Sequence, residues 1–166
     1  MRKPLNSKII KTALMCHYRF EKQFPYVATE CLKYSDINAL NDRCLVEVEV
    51  KISKSDLKAE FKTAGNKHIK HFVLYCDPSR RPLAIIPNYY YICVPEELKQ
   101  DAIDIVKEVN PKYGVLVCKN IGGLYKIICA KSARKLHDKK PHPRTYNLVA
   151  KRITSELITL RAKYLK

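Results

Sequence analysis

Within residues 44–52 the chain alternates without interruption between apolar and charged side chains from Val46 onward, and this stretch limits the fold more than any other. Val46, Val48, Val50 and Ile52 fall on one face of an extended strand, and Glu47, Glu49 and Lys51 on the other. The apolar face requires a core, so the chain must build a sheet with at least one covered face. The neighbouring segments supply that sheet. Residues 26–32 and 36–40 read as two further extended runs, with turns at 33–35 and 41–43, giving a three-strand meander. Before it, Ile9, Ile10, Ala13, Leu14, Phe20 and Phe24 recur at helical spacing over 7–24, closed by Pro25. After it, Ser53 with Asp56 three residues on is a helix-capping pattern, and the helix should run to about Thr63.

The remainder continues in the same mixed style. Residues 64–82 are basic and turn-rich and are expected to form a loop, in part helical. Residues 89–94 form a continuous apolar run of strand type, in which Tyr89, Tyr90 and Tyr91 are expected to serve core and strand packing. Pro95-Glu96-Glu97 opens a helix to about Val109, with acids at its positive end. Residues 113–119 and 124–130 flank Asn120-Ile121-Gly122-Gly123 as a hairpin. A basic loop over 131–146 leads to a last amphipathic helix capped by Asn147 and marked by Val149, Ile153, Leu157, Leu160 and Tyr164. The order fits an α+β fold, a mixed central sheet flanked by helices, in a single domain over 1–166.

Charge narrows the class of partner. The chain has 166 residues and a formal charge of +16, and residues 112–166 hold 14 basic residues against only Asp138 and Glu156. Such asymmetry suits a polyanion, and nucleic acid first of all, although a solvated basic face has the same composition. No window approaches a membrane span, and the first residues, Met1 to Asn6, lack an apolar signal core. The seven cysteines are an odd number, lie at least 11 residues apart and show no zinc spacing. We therefore expect buried, reduced thiols in a cytoplasmic protein.

What needs a chemical explanation is the acidic face of residues 44–52. Asp36 opens the neighbouring strand, so carboxylates from two strands can meet at their ends, and one or two carboxylates with waters and substrate phosphate suffice to hold Mg²⁺. Lys51, on the face of Glu49, could orient or deprotonate a water or offset charge on the phosphate. Here the sequence resembles the PD-(D/E)xK nuclease superfamily, on Ser35-Asp36, then Glu49-Val50-Lys51, then a helix. The stretch 46–51 with Ser53 and Ser55-Asp56-Leu57, and 90–95 downstream, is similar to MmcB-like DNA-repair proteins and small phage-encoded proteins assigned as nucleases. The likeness spans about residues 7–118 and implies a restriction-endonuclease-like core, to which the hairpin and last helix are added. It also implies Asp36 and Glu49 as ligands of Mg²⁺ or Mn²⁺, Lys51 as the catalytic lysine, and Glu30 as an upstream acid that joins the metal shell. Ser35 stands where the family's nominal proline would be, and Glu47 is an additional acid on the same face.

The leading expectation is thus a metal-dependent DNA nuclease. Lys54, Lys58, Lys62, Lys67, Lys70, Lys131, Arg134, Lys135, Lys139, Lys140 and Arg144 are its candidate phosphate contacts. Its alternatives are a non-catalytic nucleic-acid-binding protein that keeps the nuclease fold and, more remotely, an adaptor for an acidic protein. RNA in place of DNA and a homodimer in place of a monomer are both compatible with the sequence. Single residues also have plainer readings. Glu47, Glu49 and Lys51 could form the solvated face of an edge strand, Asp36 a turn and Glu30 a surface acid. Asp56 and Glu60 are expected to serve the helix N-terminus and its surface, and His68 and His71 to sit with Lys67 and Lys70 in a basic loop facing DNA.

Overall fold

The computed structural model describes residues 5–32, 35–63, 65–77 and 85–164. Parts of the expected turn at 33–35 and of the expected loop at 64–82 lie outside the described residues, as do Met1–Pro4. Helix α1 (Ser7–Cys16) is capped by Asn6, whose Oδ1 accepts from the Ile9 N–H at 3.0 Å, and runs into a π-helical turn over His17–Glu21. Strands β1 (Tyr26–Thr29), β2 (Ile37–Leu40) and β3 (Leu45–Val50) form the expected meander. Helices α2 (Lys54–Thr63) and α3 (Gly65–Cys76) follow, then β4 (Tyr89–Pro95), α4 (Lys99–Val109), the hairpin β5 (Gly114–Ile121) and β6 (Leu124–Lys131), and α5 (Pro143–Ala162).

All six strands join one sheet in sequence order, with β3–β4 and β4–β5 parallel and the other pairs antiparallel. Parallel neighbours need long crossovers, which α2–α3 and α4 provide. The expected α+β class and mixed sheet are therefore present. On one face, Ile10, Leu14 and Tyr18 pack against Val27, Ile37, Ala39, Val46, Val48 and Val50. On the other, Leu57, Ala102 and Val106 cover Tyr90, Ile92, Val94, Val115 and Val117, and the start of α5 covers Ala28, Leu40 and Leu45 through Val149. No helix among the described residues is long and apolar enough to cross a membrane.

Several expectations are corrected. The segment expected as a loop in part helical is helix α3 over residues 65–76, more helix than expected, because Lys67, His68 and His71 lie on one helical face and find buried partners. The last helix starts four residues before Asn147: Pro143 takes its first position, and His142 Nδ1 accepts from the Arg144 N–H at 3.1 Å. Only Cys93 and Cys118 of the seven free thiols are buried, and Cys16, Cys76 and Cys129 are exposed. The edge-strand alternative for residues 44–52 also fails, since β3 lies inside the sheet between β2 and β4.

Gly114 marks the tightest packing. A Cβ there would overlap the Tyr91 ring and stand 2.8 Å from the Ala133 amide nitrogen, where β6 leaves the sheet. Gly114→Ala should cost about 2 kcal/mol by overpacking, read as a lower denaturant midpoint at unchanged slope; an unaltered midpoint would show that the strand end yields freely.

Candidate active site

Glu30, Asp36, Glu49 and Lys51 arrive at one end of the sheet by register alone. Ile37 pairs with Val48, so the next residues outward, Asp36 and Glu49, face each other, and Glu30 follows the end of β1. The Glu30 amide donates to the Asp36 carbonyl at 3.1 Å, closing this end of the β1–β2 pair. Glu30 itself takes φ of 49°, a left-handed conformation that a non-glycine residue rarely adopts and that tends to mark functional positions. Asp36 is fixed by two contacts: Oδ2 accepts from the Val50 N–H at 2.7 Å, and Oδ1 pairs with the Lys11 ammonium at 2.7 Å. Lys11 also reaches Glu30 at 2.8 Å, and that contact holds the exposed Glu30 carboxyl below the usual range. Ser35 is buried beside them, its hydroxyl 2.8 Å from Asn38 Oδ1 and 3.0 Å from the Leu32 carbonyl, so it braces the loop that delivers Asp36.

Glu47 and Glu49 are each only 5% exposed, because α2 and α3 lie over them. The sequence missed the inward place of two residues here, Lys67, which offsets these acids, and Glu60, which joins them. Lys67 Nζ stands 2.7 Å from Glu49, 3.2 Å from Glu60 and 3.4 Å from Glu47, and 5.2 Å from the centre of the Tyr90 ring. Lys51 pairs with Glu60 at 2.6 Å and Glu49 at 3.6 Å. Glu60 further accepts from Tyr90 Oη at 3.3 Å and meets His68 Nε2 at 2.9 Å, while His68 Nδ1 and His71 Nδ1 both bond Tyr113 Oη, at 2.9 and 2.8 Å. Lys67 is thus a counter-ion of the acids, not a contact in an exposed loop, and Glu60 faces inward, not to the surface. Their signal was helical spacing: Glu60 shares a face with the buried Leu57 and half-buried Phe61, and Lys67 is one turn from the buried His71.

Burial sets the electrostatics. Burial, opposed by Lys67 and reinforced by Glu49 and Glu60, lifts Glu47 to about 8, and burial with the charges of Glu60 and Asp36 lifts Glu49 to about 7 against Lys67. Glu47 Oε1 is buried without a hydrogen bond, the Lys67 ammonium being an ion-pair neighbour only. Glu60 shows the reverse. Its burial is outweighed by the bond from His68, the charge of Lys67 and the bond from Lys51, which hold it far below the usual carboxylate range. Burial likewise opposes the charge on Lys51 and Lys67, but the surrounding carboxylates prevail and raise both, so both are ammonium ions at neutral pH. Burial, with the charges of His68 and Lys67, lowers His71 to about 3 and keeps it neutral.

Oxygen donors from Asp36, Glu49 and Glu30 suit a hard divalent cation, and the raised Glu49 marks a place where added positive charge would be favourable. Lys11 and Lys67 now hold these oxygens, and among the described residues no group of three metal-ligating side chains is assembled.

The sequence-based phosphate contacts are dispersed. Lys54 pairs with Asp101 at 2.6 Å, while Lys58 and Lys62 lie exposed on α2 and Lys70 is half-buried on α3. Lys131 bonds the carbonyls of Pro111, at 2.8 Å, and Tyr113, and so fastens β6 in place. Arg134, Lys139, Lys140 and Arg144 are exposed, as is Lys135, which pairs with Asp138 at 3.0 Å. The loop bearing Arg134 to Lys140 is tied to Asn88, through the Leu136 N–H and the carbonyls of His137 and Lys139. Asn88 in turn bonds Leu45, at the start of β3. Four strand steps, about 13 Å, separate Leu45 from Glu49, so this loop occupies the opposite end of the sheet.

Comparison with protein-family models, with curated proteins and with solved structures finds no match to this chain.

Two variants test the buried cluster. Glu47 keeps its proton to about pH 8 when folded but loses it near 4.5 when unfolded, so across that window the folded chain binds more protons and Glu47 makes stability fall as pH rises. Glu47→Gln removes that slope: its melting temperature should match wild type below pH 4.5 and exceed it increasingly towards pH 8, and a constant difference would refute the assignment. Lys67→Met leaves Glu49 without its nearest counter-ion and should cost about 3–5 kcal/mol near neutral pH in chemical denaturation; a loss below about 1 kcal/mol would mean that Lys67 is not that counter-ion.

Proposed function

We propose that this chain is a metal-dependent phosphodiesterase, a nuclease acting on DNA with Mg²⁺ or Mn²⁺. The observation that carries the reading is the register that sets Asp36 opposite Glu49 at a sheet end, with Lys51 two residues further on, just past the end of β3. A bound divalent ion would neutralise phosphate charge and make water nucleophilic at neutral pH. The protein's own groups divide the remaining work. Asp36 is aimed by the Val50 N–H, and Glu49 projects from the most constrained strand of the sheet. Lys51 is held as an ammonium by Glu60, which suits it to offset the charge that develops on the phosphoryl oxygens rather than to take a proton from water. Glu60 acts through Lys51 as a positioning residue. Restriction-endonuclease-like descent, a DNA-repair setting and a cytoplasmic location belong to the same proposal, supported by the resemblance of residues 7–118 described above.

One feature favours the second reading, a nucleic-acid-binding protein without catalysis: Lys11 and Lys67 already neutralise the carboxylates that would bind metal.

Cleavage of linear, single-stranded and branched DNA and of RNA, with Mg²⁺, Mn²⁺ or EDTA, separates the two. Metal-dependent cutting should fall by at least ~10²-fold in Asp36→Ala and Lys51→Ala at unchanged folding, the loss expected for an electrostatic contributor. DNA binding without cutting, equal in wild type and both variants, would replace the nuclease by the binding protein.

A further inference from the structure

A cleft of about 640 Å³ runs between α1 and the second half of α5 and opens onto the carboxylate site. Lys11 and Glu30 line it and also belong to the site, so cleft and site share a wall. On the α1 side Lys8 lies one turn before Lys11, exposed and forming no ion pair among the described residues. On the α5 side Arg152 lines the cleft, anchored by its bond to the Thr29 carbonyl at 2.9 Å and its pairing with Glu156 at 3.1 Å. Met15 and Leu160 give the cleft an apolar wall between these cations.

We infer that this cleft is the track for one strand of nucleic acid entering the site, with Lys8 and Arg152 as phosphate contacts and the apolar wall against sugars and bases. The proposal rests on the nuclease reading and names its substrate-binding surface. Three observations select a nucleic-acid strand. The formal charge of +16 favours a polyanion, and the cleft carries three cations, Lys8, Lys11 and Arg152, against the two acids Glu30 and Glu156, with Lys8 outside the ion pairs that hold the other four. The apolar wall of Met15 and Leu160 suits the exposed bases of a single strand, which a duplex keeps paired inside its stack. The cleft is lined by Lys11, which also holds Asp36, so a phosphate bound there would compete with Asp36 and Glu30 for the Lys11 ammonium. The basic loop over 134–140, at the far end of the sheet, has no such continuity with the site.

The test is binding of a labelled single-stranded DNA in EDTA, by fluorescence anisotropy over a range of salt, for wild type, Lys8→Glu, Thr159→Arg and Lys139→Glu. Lys8→Glu should bind severalfold more weakly with a salt slope lower by about 1, and Lys139→Glu, an equal charge change at the opposite end, should stay within about twofold of wild type. Thr159→Arg, on the exposed rim of the cleft, should bind more tightly, and this gain cannot arise from misfolding. Weakening by Lys139→Glu with Lys8→Glu and Thr159→Arg unchanged would overturn the track. Its failure is separable from that of the nuclease reading. Cutting by wild type with unchanged binding in Lys8→Glu removes the track alone, and track-dependent binding with no cutting removes the nuclease alone. Absence of binding by wild type removes the track, and cutting with Mg²⁺ or Mn²⁺ then decides the nuclease reading by itself.

Discussion

Two glutamates on the inner face of an interior strand are the constraint on which the rest of this structure depends. Glu47 and Glu49 cannot reach bulk water, and an isolated carboxylate in such a place would cost several kcal/mol. The fold answers with Lys67 and Lys51, brought in by α3 and by β3 itself, and with Glu60, which shares both ammonium groups. The position of α2 and α3 over the sheet is therefore an electrostatic requirement as much as a hydrophobic one. Compensation is incomplete, because three buried acids meet two buried ammonium groups, and the raised Glu47 and Glu49 are the result.

The same imbalance connects structure to chemistry. A site with surplus carboxylate, a fixed lysine and an approach from solvent is suited to hold a cation and act on an anion. Asp36 supplies the approach: it stands at the rim, 21% exposed in its side chain, and is shared between the Val50 amide and Lys11. The His68–Tyr113–His71 group behind Glu60 is a rigid support, with Tyr113 Oη bonded by both rings and His71 kept neutral by burial.

Charge in the chain and charge at the site are arranged differently. Most of the net positive charge lies in the last third of the sequence, yet the basic loop after β6 sits at the wrong end of the sheet to reach the acids. The cations near the site come from α1, from the end of β3, from α3 and from the middle of α5. Sequence distance predicts little here, because α5 returns across β1 and brings residues 152–160 beside residues 7–15.

Local chemistry determined much from the sequence alone. Strict alternation made β3 a strand with Val46, Val48 and Val50 in the core, the Ser53 cap placed the start of α2, and Gly122-Gly123, with φ of 61° and 92°, made the β5–β6 turn. Asp36, Glu49 and Lys51 were legible as a group because adjacent strands of a meander bring nearby residues together at short range. Tertiary structure decided the rest. Whether the acidic face of β3 met water or protein depended on β4, more than 40 residues on, taking the next place in the sheet and on α2 and α3 covering the pair. Glu60 and Lys67 became internal partners only through that covering, since a charged residue on a helix declares its side by what packs there. The cleft between α1 and α5 is the clearest case: its two walls are nearly the full chain apart, and no local pattern encodes a contact that only the closed fold creates.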